Sequence, residues 1–319
     1  MTSPVVPALQ KPLVGILTTL SREEDYPSTR RIMEEADKAG IPVKRFDAKS
    51  IALMTDREGL HFFYKGQKYD TPPMDVLIPR ISSKPNPMDN YHALLDLKQL
   101  QAMGIPVLNT ASAIENAEDK FITHQLLAID KLPQPKSLYS PFPGEVEELE
   151  NLEGDILVNK SLRGSKGKGV EFLPRREVAE RIGNDNFVQE IAKGEKGVDY
   201  RYLVIHGKVT AAMKRKAANG GFLSNASLGG NVEAVKIDPE MEELAIKSAK
   251  ALNLEVAGVD IMTTEQGPVV IEVNSTPGFI GLEKATGKNI AAEILQAALG
   301  KYEQSKIAKQ SQLQLNEVA

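Results

Sequence analysis

The segment 256–276 places two carboxylates and an amide where they could hold a metal ion. Runs rich in valine and isoleucine flank the short glycine-containing loop 265–267, a pattern typical of a β-hairpin. In such a hairpin Asp260 pairs with Glu272, and Asn274 lies on the same face because strand side chains alternate. Carboxylate and amide oxygens are the ligands that Mg2+ prefers, and Mg2+ usually recruits substrate phosphates as well. The alternative is a solvated polar face, and phosphate-binding residues elsewhere would decide between the two.

The loop fixes a register for this hairpin if it closes on Gln266. The predicted pairs are then Thr264 with Pro268, Met262 with Val270, and Asp260 with Glu272. The opposite face should enter a core through Val259, Ile261, Ile271 and Val273. Because like charges opposite each other destabilise a sheet, we expect something to compensate the two carboxylates.

A glycine-rich segment, residues 157–173, is the first candidate for phosphate binding. Its glycines free the backbone to fold over a ligand, and exposed N–H groups suit phosphate oxygens. It lacks the Walker spacing and lies between two strand patterns, whereas a dinucleotide fingerprint needs a strand-to-helix turn. This leaves a hairpin cover like the glycine-rich loop of protein kinases, with Lys160 on the strand leading in. A mobile surface loop is the alternative.

Two further segments could serve a nucleotide. FVQEI (187–191) resembles a hinge whose apolar flanks could sandwich adenine while backbone groups of Glu190 and Ile191 read its edge; an ordinary strand is the alternative. In 213–216 the strand alternation puts Lys214 and Lys216 on one face and Arg215 on the other. The alternative for this basic strand end is a solvated surface.

Composition excludes several functional classes. The chain has 319 residues, 41% of them hydrophobic and 26% charged, with a net charge of −4 and no cysteine. These values predict a soluble globular protein without disulfides, thiolate metal sites or a basic nucleic-acid-binding surface. No apolar stretch approaches the roughly 20 residues that cross a bilayer, and the N-terminus does not read as a signal peptide, so we expect no membrane partner and a cytoplasmic location.

The elements that position these residues fall into four predicted regions: 1–109, 110–190, 191–300 and a polar, flexible tail 301–319. The first alternates strands (13–20, IPVKRFDA, DVLIPRI, PVLN) with helices (28–39 and 88–103), which predicts a doubly wound α/β unit. A helix should cover 113–132 and present Phe121, Gln125, Leu126 and Ile129 on one face. Strands DILVNK, VEFL and FVQEI, a hairpin turning at His206-Gly207, and helices at 176–182, 239–253 and 289–299 should follow.

Residues 120–290 resemble an ATP-grasp domain and are similar in particular to the RimK-like glutamate ligases. The resemblance rests on EDKFITHQLL, the GSKGKG loop, VQE, DYR, AGVDI, IEVNSTPG and GLEKATGKNIA, in order and spacing. YKGQKYDTPPMDVLIPRI and MGIPVLN extend it into a pre-ATP-grasp domain. It implies an α/β (α+β) ATP-grasp fold. The nucleotide-binding positions are then Lys120, Lys160, Gly164, Ser165, Gly167, Gly169, Glu190, Ile191, Asp199, Arg201 and Asn225.

The resemblance also implies a mechanism. A substrate carboxylate attacks the γ-phosphate of ATP to give an acylphosphate, and the amine of an amino acid, with glutamate the first candidate, displaces phosphate. Asp260, Glu272 and Asn274 would hold Mg2+, with Mn2+ as the alternative ion, and Arg215 and Lys160 would be catalytic. The implied acceptor is a peptide, a protein C-terminus or a small-molecule carboxylate. The sequence does not decide between a monomer and a homo-oligomer. Rival functions are an ATP-grasp phosphotransferase and a non-catalytic nucleotide-binding module.

Two positions depart from the family pattern. Family members commonly carry arginines where this chain has Leu223, in FLSN, and Leu228, in ASLGG. Arginines there would contact phosphate or an anionic substrate, so their absence bears on the identity of the acceptor. Arg80, Ser82 and Ser83 follow a strand of the first region and are candidates for acceptor binding, with a surface loop as the alternative.

Overall fold

A computed structural model describes residues 11–20, 26–81, 87–141, 147–164, 169–183, 185–217 and 231–318. The strands in chain order are β1 (Val14–Thr18), β2 (Val43–Asp47), β3 (Ile51–Asp56), β4 (Gly59–Tyr64), β5 (Gln67–Tyr69), β6 (Val76–Arg80), β7 (Ser137–Leu138), β8 (Ile156–Ser161), β9 (Val170–Pro174), β10 (Asn186–Gln189), β11 (Val198–Ile205), β12 (Lys208–Lys216), β13 (Asn231–Ala234), β14 (Val256–Thr264) and β15 (Gly267–Asn274). The helices are α1 (Pro27–Lys38), α2 (Pro87–Ala102), α3 (Ala111–Glu118), α4 (Lys120–Ile129), α5 (Arg175–Val178), α6 (Pro239–Ala251), α7 (Ile280–Thr286) and α8 (Ile290–Val318).

The N-terminal region is built on a small parallel sheet in the order β2-β1-β6. Alternate side chains of β1 enter two different cores because strand side chains point to opposite faces. Ile16 packs in the core that contains Ile32 of α1, and Leu17 packs in the core that contains Leu97 of α2. Helices therefore cover both faces, as the doubly wound prediction requires. The predicted strand PVLN is wrong, since only Val107 forms a bridge, with Leu77.

A second small sheet, β3-β4-β5, was not predicted. Its first strand is largely exposed, although it begins with the apolar run IALM at 51–54. This sheet packs against the α2 side of the N-terminal region through Phe62 and Tyr64.

The remainder of the chain carries two antiparallel sheets, with strand orders β7-β10-β8-β9 and β13-β12-β11-β14-β15. The predicted strands and the β11–β12 turn at His206-Gly207 are present; both turn residues have positive φ, at 46° and 70°. Asp238 caps α6 by accepting hydrogen bonds from two backbone N–H groups of its first turn.

The predicted single helix over 113–132 is wrong. Asp119 ends α3 and caps α4, accepting from the N–H groups of Phe121 and Ile122. Because α4 starts afresh at this cap, its buried face differs from the prediction: Thr123, His124 and Leu127 are buried, whereas Ile129 is 74% exposed.

The predicted end of the last helix at residue 299 is also wrong. The helix α8 continues to Val318, because the polar residues after Gly300 are mostly good helix formers and include no proline. Its first turns pack on α1 through Ile290 and Ile294. The division of the chain at 109/110, 190/191 and 300/301 stays a prediction. Among the described residues, no helix has both the length and the hydropathy that a bilayer span requires.

Candidate active site

The hairpin β14–β15 places Asp260 opposite Glu272, as predicted. The register nearer the turn differs from the prediction. Thr264 pairs with Gly267 rather than Pro268, and Met262 pairs with Val269 rather than Val270, so the turn itself is the two residues Glu265 and Gln266. A bulge between Asp260 and Ile261 shifts the pairing by one residue, so Asp260 pairs with Glu272 as predicted.

Ile271 is the extra residue of this bulge and was predicted to enter the core. It lines a cleft beside Glu272 instead, because a bulge re-aims the side chain that it leaves unpaired. The other three predicted core residues of the hairpin are almost fully buried: Val259, Ile261 and Val273.

Two arginines compensate the charge of Asp260. Arg201 donates to both carboxylate oxygens at 2.7 Å, and Nη2 of Arg215 lies 2.9 Å from Oδ2. Arg215 also donates to both oxygens of Asp199, at 2.6 and 2.7 Å. Burial alone would raise the pKa of Asp260, but the two arginines outweigh it and hold that pKa below its usual value. The described geometry therefore makes Arg201–Asp260–Arg215–Asp199 a continuous chain of buried ion pairs.

Arg215 lies on the face of β12 that was predicted for it. It is 2% exposed, whereas Lys216 is exposed and Lys214 contacts the ring of Tyr200. Its contacts with Asp199 and Asp260 hold the acidic side chains in place, and it does not line the cleft. Direct contact of Arg215 with a transferring phosphoryl group stays a prediction.

Lys120 links Glu272 to the glycine-rich segment. Its ammonium lies 3.1 Å from Glu272 Oε1 and donates to the carbonyl of Gly164 at 2.7 Å. Burial would raise the pKa of Glu272, and the nearby Lys120 is the main reason that this pKa is lowered instead. The first residue of α4 and the edge of the glycine segment thus meet at the carboxylate of β15.

A buried hydrogen-bond chain positions Lys160. Its ammonium donates to Gln189 Oε1 at 2.6 Å, and the amide nitrogen of Gln189 lies 3.0 Å from His124 Nε2. His124 Nδ1 lies 2.5 Å from the side-chain oxygen of Gln134. Because that oxygen can only accept, Nδ1 carries the proton and Nε2 accepts from Gln189. Burial lowers the pKa of His124 to about 4 and that of Lys160 to about 8.

A cleft of about 310 Å³ gathers residues from four separate parts of the sequence. It lies between the two antiparallel sheets, and apolar side chains from both form its walls: Val158, Val170, Phe172, Met262 and Ile271. Six predicted site residues line it: Lys120, Lys160, Glu190, Ile191, Asp199 and Glu272. The lining does not include four other predicted site residues: Arg201, Arg215, Asp260 and Asn274.

The hinge-like segment leaves only part of its backbone for a ligand. The N–H of Glu190 donates to the carbonyl of Lys136 at 3.0 Å, so it is already used. The Glu190 side chain accepts from the N–H of Glu153 at 2.7 Å. Among the described residues, the carbonyl of Glu190 and the N–H and carbonyl of Ile191 have no backbone hydrogen bond, so they are available for the edge of a base.

Gly169 has a steric reason to be glycine. Its φ is +76°, and a Cβ there would lie 2.2 Å from the hydroxyl oxygen of Ser161. The N–H of Ser161 donates to the Gly169 carbonyl at 2.9 Å, next to Lys160. Ser165, Gly167, Leu223, Asn225 and Leu228 lie outside the described residues, as do Ser82 and Ser83.

The alternative that Arg80 belongs to a surface loop is wrong, because Arg80 is the last residue of β6. It is 3% exposed, and Nη2 donates to Ser28 Oγ at 2.8 Å and to the carbonyl of Pro277 at 3.2 Å. Burial lowers its pKa to about 10. Arg80 therefore ties the end of β6 and the start of α1 to the loop that follows Asn274.

Glu272 and Asn274 fit a hard divalent cation, whereas both oxygens of Asp260 accept from arginines and would have to exchange such a contact for the ion. Asp260 and Glu272 both have lowered pKa values, and Asn274 donates its amide nitrogen toward the carbonyl of Gly258 at 3.4 Å, so its amide oxygen is the atom that could ligate a cation. Mg2+ is usually held by one or two carboxylates together with phosphates and water. The described residues hold no group of three or more His, Cys, Asp or Glu that could take a metal ion.

The cleft contains residues that the sequence analysis missed. Lys193 and Lys196 line it, and Gln189 orients Lys160. The two lysines lie in AKGEKG, directly after the hinge-like segment. The lysines and glycines of this sequence could have indicated a phosphate-binding loop. The side-chain role of Gln189 depends on a histidine 65 residues away, and no local pattern indicates that contact.

Comparison with known proteins identifies the family. Residues 117–298 match the model of the RimK-like ATP-grasp domain, and residues 16–114 match that of the RimK PreATP-grasp domain. The chain is 37% identical over 293 residues to a probable alpha-L-glutamate ligase of Chromohalobacter salexigens, covering 89% of this chain and 93% of that protein. A second probable alpha-L-glutamate ligase, from Methanococcoides burtonii, is 35% identical, covering 88% of this chain and 94% of that protein.

A solved structure agrees in fold. The ATP-grasp ligase PsnB in complex with minimal precursor, Mg and ADP superposes with a TM-score of 0.66 at 19% identity, covering 91% of this chain and 97% of that one. Together these matches confirm the predicted ATP-grasp fold with its pre-ATP-grasp domain, and the prediction of an ATP-dependent ligase. The chain belongs to the RimK-like ATP-grasp family.

Proposed function

We propose that this ligase uses Mg-ATP to join the amine of an amino acid, with glutamate the first candidate, to the carboxylate of a peptide, protein or small-molecule acceptor. One observation carries the proposal: the cleft brings Lys120, Lys160, the hinge segment and Glu272 around one space of about 310 Å³. Glutamate is chosen because the relatives are named alpha-L-glutamate ligases.

In this proposal the cleft binds ATP between the two antiparallel sheets. The apolar walls sandwich adenine, and the Glu190 carbonyl and Ile191 N–H meet its polar edge. Lys120 and Lys160 hold phosphate oxygens at the other end, where the glycine-rich segment begins. Support comes from the position of both ammonium groups, which reach the cleft from different elements and are each oriented by a hydrogen bond.

Amide formation at neutral pH requires activation of the carboxylate. The acceptor carboxylate oxygen attacks the γ-phosphorus, the bond to the β-phosphate oxygen breaks, and ADP leaves. The amine nitrogen then attacks the acyl carbon, loses a proton and displaces inorganic phosphate. Phosphoryl transfer depends on positioning and charge neutralisation, which Lys120 and Lys160 supply. Exclusion of water from the cleft protects the acylphosphate from hydrolysis.

Mg2+, with Mn2+ as the alternative ion, would be held by Glu272, Asn274 and Asp260 and would neutralise phosphate charge when bound. Arg201 and Arg215 fix the orientation of Asp260 and so position the donor set, and Arg215 would in addition stabilise the transferring phosphoryl group. The Mg and ADP in the PsnB complex support this ion for a related fold.

The test is phosphate release from Mg-ATP with each amino acid, alone and together with carboxylate acceptors such as glutamate-ended peptides. The proposal expects release only when amine and carboxylate are both present, and mass spectrometry should find the matching amide. A phosphorylated acceptor that accumulates without an amine would favour a phosphotransferase. ATP binding without any release across the acceptor set would contradict the proposal.

A further inference from the structure

One side chain of the N-terminal region closes the open end of the β14–β15 hairpin. Asn109 is 3% exposed, and it uses its whole amide on backbone groups of that end. Its Nδ2 donates to the carbonyls of Val256 at 2.8 Å and Ser275 at 2.9 Å. Its Oδ1 accepts from the N–H groups of Glu255 at 2.8 Å and Val256 at 2.9 Å. The amide therefore holds both strands of the hairpin at once.

These bonds begin where the pairing of the two strands ends. The last pair of the hairpin is Gly258 with Asn274, and Ser275 is the next residue along the chain. Val256, the first residue of β14, precedes Gly258 on the opposite strand. The backbone of Asn274 is thus held by the strand ladder on one side and by Asn109 on the other.

The loop that follows Asn274 is held at a second residue. Arg80 Nη2 donates to the carbonyl of Pro277 at 3.2 Å. The ring of Pro277 lies so close to Gly258 that a Cβ at Gly258 would be 2.8 Å from Pro277 Cβ. Only glycine leaves room for the loop at this distance, so the loop packs directly on β14 beside Asn274.

The N-terminal region fixes Asn109 in its turn. The N–H of Leu108 donates to the carbonyl of Leu77 in β6 at 2.9 Å. The N–H of Ala111 donates to Gln101 Oε1 of α2 at 2.8 Å. Because its neighbours along the chain are bonded to a strand and a helix, Asn109 offers the hairpin a fixed template.

We propose that Asn109 is a positioning residue for the divalent cation: it holds the open end of the hairpin so that the Asn274 amide oxygen and the Glu272 carboxylate reach the same ion. Strand alternation puts these two ligands on one face of β15. Mg2+ demands nearly ideal octahedral geometry, so a small shift of one ligand weakens its binding. The inference rests on the proposed function, because it takes Glu272 and Asn274 as ligands. Asn109 does not line the ATP cleft, so its role is indirect.

The experiment is calorimetric titration of the whole chain with the non-hydrolysable ATP analogue AMPPNP, in magnesium chloride and again in EDTA. The wild type should bind the analogue about tenfold or more tightly with Mg2+ than without it. Asn109→Ala should keep the affinity measured in EDTA and lose most of the increase that Mg2+ gives. A merely structural role would lower both affinities together or leave both unchanged.

A second variant tests the same loop without removing any bond of Asn109. Gly258→Ala pushes against Pro277 and should also lose the increase that Mg2+ gives. The matched control is Gly278→Ala in the same loop, where a Cβ meets no atom within 4 Å, and it should bind as the wild type does. Urea unfolding verifies that each variant is folded before titration.

The outcomes separate this inference from the proposed function. A full Mg2+-dependent increase in Asn109→Ala overturns the inference alone, and the same result in Gly258→Ala does so if Asn109→Ala does not fold. A wild type whose affinity for AMPPNP does not respond to Mg2+ overturns the proposed metal site, and the inference with it.

Discussion

Asp260 and Glu272 face each other across the β14–β15 hairpin, yet each carboxylate has its own cationic partners. Asp260 is held by Arg201 and Arg215, whereas Glu272 contacts Lys120 alone among the described residues. Asp260 is 1% exposed, and the Glu272 side chain is 31% exposed at the cleft. Asp260 is therefore part of a buried ionic framework, whereas Glu272 is partly exposed at the cleft.

Glu272→Gln should keep the fold and abolish most turnover. The variant retains the size and hydrogen bonding of the side chain but removes the charge that would hold the metal ion. The metal ion stabilises the transition state by several kcal/mol, so the rate should fall by about a hundredfold or more. Steady-state phosphate release measures the loss, and circular dichroism verifies the fold. The matched control is Glu243→Gln on the exposed side of α6, which should be fully active. Near-normal activity of Glu272→Gln would rule out the metal assignment.

Asp260→Asn should instead destabilise the protein. It leaves Arg201 and the buried Arg215 short of a counter-charge, which costs about 3 kcal/mol when a buried pair is broken. Urea unfolding of Asp260→Asn and Glu272→Gln side by side should show a clear loss for the first and little change for the second. Equal stabilities would mean that the ion-pair chain does not hold the hairpin.

The pairing of these two carboxylates could be predicted from the sequence, although the predicted loop was wrong. The predicted register differs from the observed one in two ways: the observed turn is one residue tighter, and the observed β15 has a bulge at Ile271. The two differences have opposite effects on the pairing, so Asp260 still lies opposite Glu272. Strand alternation carries no information on where a bulge lies, so the exposure of Ile271 in the cleft could not be foreseen. The ion pairs of Asp260 link strands that local patterns cannot align.

Lys160→Ala should weaken ATP binding by about tenfold or more, because a charge-assisted contact with phosphate is lost. Isothermal titration with a non-hydrolysable ATP analogue measures the change. Lys208→Ala, at the exposed β11–β12 turn, is the control and should leave affinity unaltered. The same affinity in both variants would argue against Lys160 as a phosphate ligand.

His124 should make stability depend on pH in the acid range. Burial lowers its pKa from 6.5 to about 4, so the unfolded chain binds more protons between these values. The stabilisation is thus present above pH 6.5 and is lost as the pH falls toward 4, up to about 3 kcal/mol. His124→Gln should remove this component from the pH profile of unfolding. The same substitution at the exposed His92 of α2 is the comparison, and identical profiles for wild type and His124→Gln would contradict the account.

Gly169→Ala should impair ATP binding through its neighbour. The new Cβ would clash with Ser161 Oγ and lie 3.0 Å from Ser161 Cβ, so the residue next to Lys160 must rotate or its strand must shift. Gly207→Ala shares the positive φ, at +70°, but meets no atom within 4 Å, so it isolates backbone strain of about 1 kcal/mol. ATP affinity should fall in Gly169→Ala and stay normal in Gly207→Ala. Equal effects would show that strain alone matters.

The nucleotide cleft was more predictable than its supporting contacts. Lys120, Lys160, Glu190, Ile191, Asp199 and Glu272 were predicted and line one space. The chain from Gln134 through His124 and Gln189 to Lys160 was not, because it joins a helix, a strand and a loop by side-chain contacts alone. Periodicity predicts which face of an element is apolar, and it does not specify which buried polar atoms meet.

The central claim is that the acceptor carboxylate is activated by the γ-phosphate of ATP. Its most direct test labels the acceptor carboxylate with oxygen-18 and follows the label by mass spectrometry during amide formation. Passage through an acylphosphate predicts one labelled oxygen in each inorganic phosphate released, with ADP as the other product. Unlabelled phosphate, or label found in AMP, would contradict the account.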